Sequence, residues 1–163
     1  MTTSVRPATD ADLDGIAAIY AHEVRTSVAT FEFEAPPRSR WEDKLASHEV
    51  SDHRLVAVEG DHVLGYTYSG AYRPRHGYRH TREVSVYVAP GAHGQGLGRR
   101  LYDELVDLLR ADGVHLALAG VALPNDTSVR LHEAVGFELV GTMREVGHKF
   151  DRWIDTAWYQ LHL

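Results

Sequence analysis

The chain has 163 residues, 44% of them hydrophobic and 25% charged, which fits one globular domain spanning residues 1–163. A formal charge of −6 leaves no basic platform for nucleic acid. The absence of cysteine excludes disulfides, thiolate metal sites and a cysteine acyl-enzyme. No apolar run is long enough to span a bilayer and Met1–Pro7 lacks an apolar core, so the expected location is cytoplasmic, without membrane partners.

Val5-Arg6-Pro7 reads as a short edge strand. Thr9 can cap the next helix, with Asp12 at the capping-box position. Leu13, Ile16, Ala17 and Tyr20 then recur on one helical face. Thr26 to Glu34 is a β-prone connector ended by Pro36-Pro37, in which Phe31 and Phe33 serve as core staples or pocket walls, at least one of them in the core. Ser39 opens a second helix through Trp41, Leu45 and His48. Arg54–Glu59 and Val63–Tyr68 form two strands joined by Gly60-Asp61-His62, a hairpin signal. Arg73 to Arg82 carries four arginines and no acid, inside an acidic protein.

Glu83 to Ala89 places Val84, Val86 and Val88 at alternate positions, the pattern of a buried strand closed by Pro90. Gly91, Gly94, Gly96 and Gly98 follow within eight residues, and Leu97, Leu101, Leu105 and Leu108 then recur at helical spacing up to Gly113. Bare amides opening onto a helix N-terminus attract an anion, so a phosphorylated ligand is expected here. Gly98 precedes Arg99-Arg100 rather than Lys-Ser/Thr, against a mononucleotide loop. The region near Leu118 is apolar, against a dinucleotide fold that needs an acid there. His93-Gly94-Gln95-Gly96-Leu97-Gly98 does match the glycines of the pyrophosphate loop in acetyl-coenzyme A-dependent acetyltransferases. Val114–Ala122 is a further strand, Asn125 caps a helix ending at Gly136, and 137–143 and 154–163 supply two closing strands.

With Pro124-Asn125 leading through Ser128, Leu131 and His132 to Gly136-Phe137, this chain resembles the GNAT superfamily of N-acetyltransferases. Glu83, Tyr102 and the tail Gly147-His148-Lys149 with Trp153, Asp155 and Gln160 look like the phosphinothricin/methionine sulfoximine acetyltransferase branch. The resemblance implies an α/β fold: a mixed, mostly antiparallel sheet of about seven strands, splayed between the fourth and fifth, with about four helices on both faces. It also implies acetyl-coenzyme A as cosubstrate, no metal, a homodimer, and direct acetyl transfer to a small amino-acid-like acceptor within a ternary complex.

The same resemblance implies the site. Glu83 stands where the family's candidate base lies; its ordinary pKa is too low to hold an ammonium proton unaided, so burial or a bridging water must assist. His132 occupies a position where relatives carry Tyr or His and can act as base or acid. Tyr102 faces the sulfur or simply packs. Backbone of Val86, Tyr87 and Val88 would pair with the pantetheine arm, while His93 to Arg99 would hold the pyrophosphate, with Gly94, Gln95, Gly96, Leu97 and Gly98 between them. Asn125 and Ser128 would bind coenzyme or merely cap. Phe31, Arg73, Arg75 and Tyr78 would line the acceptor pocket, guanidinium forks matching oxyanion pairs, whereas Arg79 and Arg82 read as solvated. His76 and His80 are four apart, but Gly77 and Pro74 argue against a helical metal pair. Two alternatives stay open: an acetyltransferase for protein N-termini, and a coenzyme-binding regulator without transfer activity.

Overall fold

In the computed structural model, which describes residues 2–163, the elements follow the expected order of strands and helices. The strands are β1 (Ser4–Pro7), β2 (Arg54–Glu59), β3 (His62–Ala71), β4 (Thr81–Val88), β5 (Leu116–Ala122), β6 (Glu138–Lys149) and β7 (Arg152–His162). The helices are α1 (Leu13–Thr26), α2 (Arg38–Leu45), α3 (Leu97–Ala111) and α4 (Asp126–Val135). The strands form one sheet in the order β1-β2-β3-β4-β5-β7-β6. Only β4 and β5 run parallel, and they pair solely at Thr81, Arg82 and Glu83 against Leu116, Ala117 and Leu118. Beyond Glu83 they part, so the expected splay between the fourth and fifth strands is present. Among the described residues no helix is long and apolar enough to cross a membrane.

Each face of the sheet has its own core. Leu97, Leu101, Tyr102, Leu105 and Leu109 of α3 pack with Val84, Ala119, Phe137 and Tyr159 on one side. Leu13, Ile16, Ile19, Tyr20 and Val24 of α1, with Trp41 of α2, cover Val56, Val58 and Tyr66 on the other. Burying one such large side chain contributes roughly 1.5–3 kcal/mol, and truncating Leu101, which is wholly buried, would cost about 2–5 kcal/mol. At the start of α1 the backbone amide of Thr9 donates to Asp12 Oδ2 at 2.7 Å, and Arg6 grips the same carboxylate at 2.7 and 2.9 Å.

Four details differ from the sequence expectations. The segment 27–37 contains no strand: Lys149, buried at the end of β6, donates from Nζ to the carbonyls of Ser27 and Thr30 at 2.8 Å each, and Tyr20 Oη pairs with Thr30 Oγ1. Side chains brought from far along the chain satisfy this loop in place of a neighbouring strand. Neither phenylalanine enters the core, Phe31 being 37% and Phe33 71% exposed. Arg82 is buried and paired with Asp52 at 3.3 Å, so it belongs to no solvated face. Finally, β6 continues to Lys149, with register irregularities between Leu139 and Gly141 and between Met143 and Gly147 that hide the two-residue period.

Candidate active site

The gap between β4 and β5 is where the sheet leaves backbone unpaired. Along β4 the amide of Ala89 bonds back to Leu64 of β3. Strand alternation therefore turns the amides of Val86 and Val88 into the gap. Tyr87 alternates with them: its amide faces β3 and its ring stacks with Tyr66 and meets Tyr20 edge-on, on the α1/α2 face. The structure thus brings Val86 and Val88, and not Tyr87, to the gap.

The glycine loop runs from the end of β4 to α3. Gly91, Gly94 and Gly96 all have positive φ, at 82°, 78° and 73°. Around Gly94 and Gly96 an added Cβ would meet nothing within 4 Å, so the glycines serve backbone conformation and leave an open approach. Gly96 is the N-cap of α3 and no side chain caps that end, leaving first-turn amides for a ligand. His93 and Gln95 are exposed on the loop, Leu97 anchors it in the core, and Gly98 fits against Leu131 of α4. Arg99 is directed away, to Asp103 at 2.8 Å and the carbonyl of Ala134 at 2.7 Å.

Glu83 opens onto the α1/α2 face, because its neighbour Val84 is in the α3 core. Partial burial pushes its pKa up, and the charges of Lys44 and Arg73 pull it back. Lys44, on α2, lies 4.4 Å above the ring of Tyr68, and burial lowers its pKa. It had no sequence signal, since a lysine on a polar helix reads as solvent-facing; only α2 packing over β3 brings it to Glu83. Arg73 is exposed and sits over Tyr72 at 5.1 Å. Arg75 precedes and Tyr78 ends a short 3-10 turn, both exposed, with Tyr78 edge-on to Tyr72. Phe31 lies across Gly147 of β6, where any side chain would collide with its ring.

His132 lies on the other face and is 3% exposed. Its Nδ1 is 2.7 Å from the carbonyl oxygen of Ser128, which can only accept, so Nδ1 carries the proton. Nε2 must then accept from the hydroxyl of Tyr102, 3.0 Å away. Burial lowers the pKa of His132, with the Ser128 carbonyl opposing, and burial pushes the Tyr102 phenol up. Phe137 and Tyr159 close around the imidazole. Asn125 Oδ1 accepts from the amide of Ser128 at 3.1 Å, the capping geometry. Glu83 and His132 therefore approach the gap from opposite faces.

A splayed sheet with a glycine loop at the gap has known counterparts. A model of the acetyltransferase (GNAT) domain matches residues 5–158. The chain belongs to the GNAT acetyltransferase family. This GNAT chain is 44% identical to a phosphinothricin N-acetyltransferase of Streptomyces coelicolor, over 96% of its length and 94% of the relative's. It is 40% identical to the L-methionine sulfoximine/L-methionine sulfone acetyltransferase of Pseudomonas aeruginosa, over 100% and 96%. Among solved structures, a GNAT phosphinothricin acetyltransferase from Sinorhizobium meliloti in complex with acetyl-coenzyme A superposes with TM-score 0.94 at 37% identity, covering 100% of this chain and 89% of that one. A ribosomal-protein-alanine N-acetyltransferase from Brucella melitensis superposes with TM-score 0.93 at 38% identity, covering 98% and 99%. The branch resemblance read from the motifs therefore stands. The GNAT loop also fits the coenzyme physically: uncapped amides suit a pyrophosphate, and the outward amides of Val86 and Val88 suit an amide-bearing arm.

Proposed function

We propose that this GNAT protein acetylates the amino group of a small amino-acid-like acceptor, of the phosphinothricin or methionine sulfoximine kind, at the expense of acetyl-coenzyme A. The observation that carries the reading is Glu83, half-buried with a raised pKa, beside the gap and faced by Lys44 and Arg73. A carboxylate poised in this way is a base, and the cations around it suit an acceptor that brings its own carboxylate.

Acetyl-coenzyme A supplies the activated acetyl group, held by the amides of the 94–98 loop and of Val86 and Val88. Turning an ammonium into an amide releases two protons, one to solvent and one to the departing thiolate. Glu83, on the open face, takes the first, directly or through water. The sealed pair serves the second: His132 Nε2 receives the proton of the Tyr102 hydroxyl as that oxygen takes one from the acceptor nitrogen, and the flow then reverses toward sulfur. The Ser128 carbonyl steadies the transient imidazolium. Of the two roles open to His132, its neutral state and its proton on Nδ1 support acceptance first. Without cysteine, transfer runs directly between bound substrates. Phe31, Arg73, Arg75 and Tyr78 form the acceptor side.

The likeness to a ribosomal-protein-alanine acetyltransferase favours a second reading, a peptide N-terminus as acceptor. Acetyl-coenzyme A consumption separates them: kcat/KM for phosphinothricin or methionine sulfoximine should exceed that for an alanine-starting peptide by more than about tenfold. The reverse order would install the peptide reading. Intersecting double-reciprocal plots are expected with the amino acid, whereas parallel lines with an isolable acetyl-enzyme would exclude direct transfer.

We also assign a homodimer working in the cytoplasm. Leu139, Val140, Met143, Val146, Phe150 and Trp153 of the β6–β7 hairpin are large, apolar and exposed, and Trp153 is 65% open. A second copy is the occupant that suits them. Light scattering should give a dimer for the native chain and a monomer for Trp153→Asp with Val146→Asp; a native monomer at micromolar concentration sinks the assignment.

A further inference from the structure

On the α2 side of Glu83 lies an open cleft of about 580 Å³, lined by Arg40, Lys44, Arg54, Tyr68, Ser69 and Gly70, among others. Most of its charges are already matched. Arg40 pairs with Glu32, and Arg54 pairs with Asp52, which also holds Arg82 and accepts from Ser47. Asp43, at the rim, is exposed. Among the described residues Lys44 alone of the cleft's cations makes no salt bridge: its ammonium rests on Tyr68, repelled by Arg40 and Arg54 and drawn from a distance by Asp52, Glu32 and Glu83. A half-buried ammonium with no carboxylate in direct contact costs free energy that an anionic ligand would recover.

The cleft reaches Glu83 through one position. Gly70 is the register partner of Glu83 across β3 and β4, so both face the same side. An added Cβ at Gly70 would meet nothing within 4 Å, and the missing side chain leaves a passage from the base to Lys44. Tyr68, two residues back on the same face, forms the floor.

We propose that this cleft is a side-chain subsite of the acceptor, in which Lys44 binds a second anionic group carried at the end of the acceptor's side chain. The inference rests on the amino-acid acetyltransferase reading. Arg73, across Glu83, is left to the α-carboxylate, while Lys44 selects acceptors that carry a phosphinate, phosphonate or carboxylate at the far end over those with a neutral tetrahedral group.

Phosphinothricin and methionine sulfoximine make the test, being close in shape, with an anionic phosphinate in the first and a neutral sulfoximine in the second. Lys44→Met removes the counter-ion and also raises the pKa of Glu83, but the second effect is common to both acceptors and cancels in their ratio. The ratio of kcat/KM for phosphinothricin over methionine sulfoximine should fall about 10–100-fold, as expected for a lost charge-assisted hydrogen bond; an unchanged ratio overturns the subsite. Gly70→Val, which has room to fold, should raise KM for both acceptors while sparing acetyl-coenzyme A binding, and unchanged acceptor constants would remove the passage. A native protein that acetylates neither compound counts against the acetyltransferase reading, and the subsite is then read by calorimetry. Phosphinothricin bound by the native chain and lost in Lys44→Met supports it; equal or absent binding overturns it.

Discussion

The two faces of the sheet meet at the β4–β5 gap with opposite chemistry. On the α1/α2 face, Glu83 sits half-buried among charges, facing Lys44 and Arg73, with an open cleft beside it. On the α3/α4 face, His132 and Tyr102 are sealed among Phe137 and Tyr159, and each has its hydrogen bonds satisfied. Burial acts on both, raising the carboxyl and lowering the imidazole, so each is moved toward its neutral form. What differs is access. A group open to solvent can exchange its proton with water in every cycle, whereas a sealed pair can only pass a proton on and take it back. On the proposed mechanism one gap thus offers an exchanging base and a closed relay.

The largest break in that comparison is Glu83→Gln. It keeps shape and removes the proposed base, so kcat should fall about 10²–10⁴-fold with little change in acetyl-coenzyme A binding. In the native chain kcat should decline as pH drops through the raised pKa of Glu83, and the variant should lose that limb. A native profile flat across mildly acidic pH would return Glu83 to a structural role.

His132→Phe comes next. The ring keeps its volume among Tyr102, Phe137 and Tyr159, but the Tyr102 hydroxyl loses its acceptor. A kcat drop of about 10²-fold with unchanged KM values for both substrates is expected, the low end for a proton-transfer group. Tyr102→Phe should cost about as much, and the double variant little more, because the two act as one relay. Additive losses would separate them, and a stability loss without a kcat loss would make the sealed face packing alone.

Gly96→Val tests the loop that both faces share. Valine at a φ of 73° is strained by about 1–3 kcal/mol, and its side chain enters the ligand's approach. Acetyl-coenzyme A should bind at least about tenfold more weakly with the fold intact; unchanged calorimetric affinity would put the anion site elsewhere.

What was legible in the sequence was what is local. The glycines at 91–98, the valine alternation before them and the leucine period after them act within a few residues of one another, so loop, strand and helix were readable together. Connections made across the chain were not. The connector at 27–37 has strand-like composition, yet Lys149 and Tyr20 tie it down as a loop. Lys44 reaches Glu83 only because α2 lies over Tyr68. That His132 is sealed depends on α3, α4 and β7 meeting, and no motif records it. The motifs point to Glu83 and His132 together, but their placement on opposite faces needed the sheet.

The smallest effect sharpens the comparison through stability. Asp12 and Glu83 are carboxyls on the same side of the sheet with opposite shifts. The Arg6 hydrogen bond holds Asp12 below its ordinary 3.8, so its stabilisation is present above that value and is lost as pH falls through the folded pKa. Glu83 is raised, so its sign is the reverse: folding is favoured relative to neutral pH only where the carboxyl is protonated, and that advantage is lost as pH rises through the folded pKa. At neutral pH the charged Glu83 is therefore a small load on the fold, and Glu83→Gln should remove it. Solvent screening at this half-open site limits the gain to a few tenths of a kcal/mol, a rise of about 1–2 °C or less in Tm for a chain of this size. The gain should disappear near pH 4, where the native carboxyl is already protonated. An enzyme slowed by orders of magnitude yet slightly more stable at pH 7, and no more stable in acid, is the signature of a base held charged against its surroundings for catalysis. A variant destabilised at every pH would instead mean that Glu83 is an ion-pair partner of Lys44 and Arg73, and the open face would then lose its base.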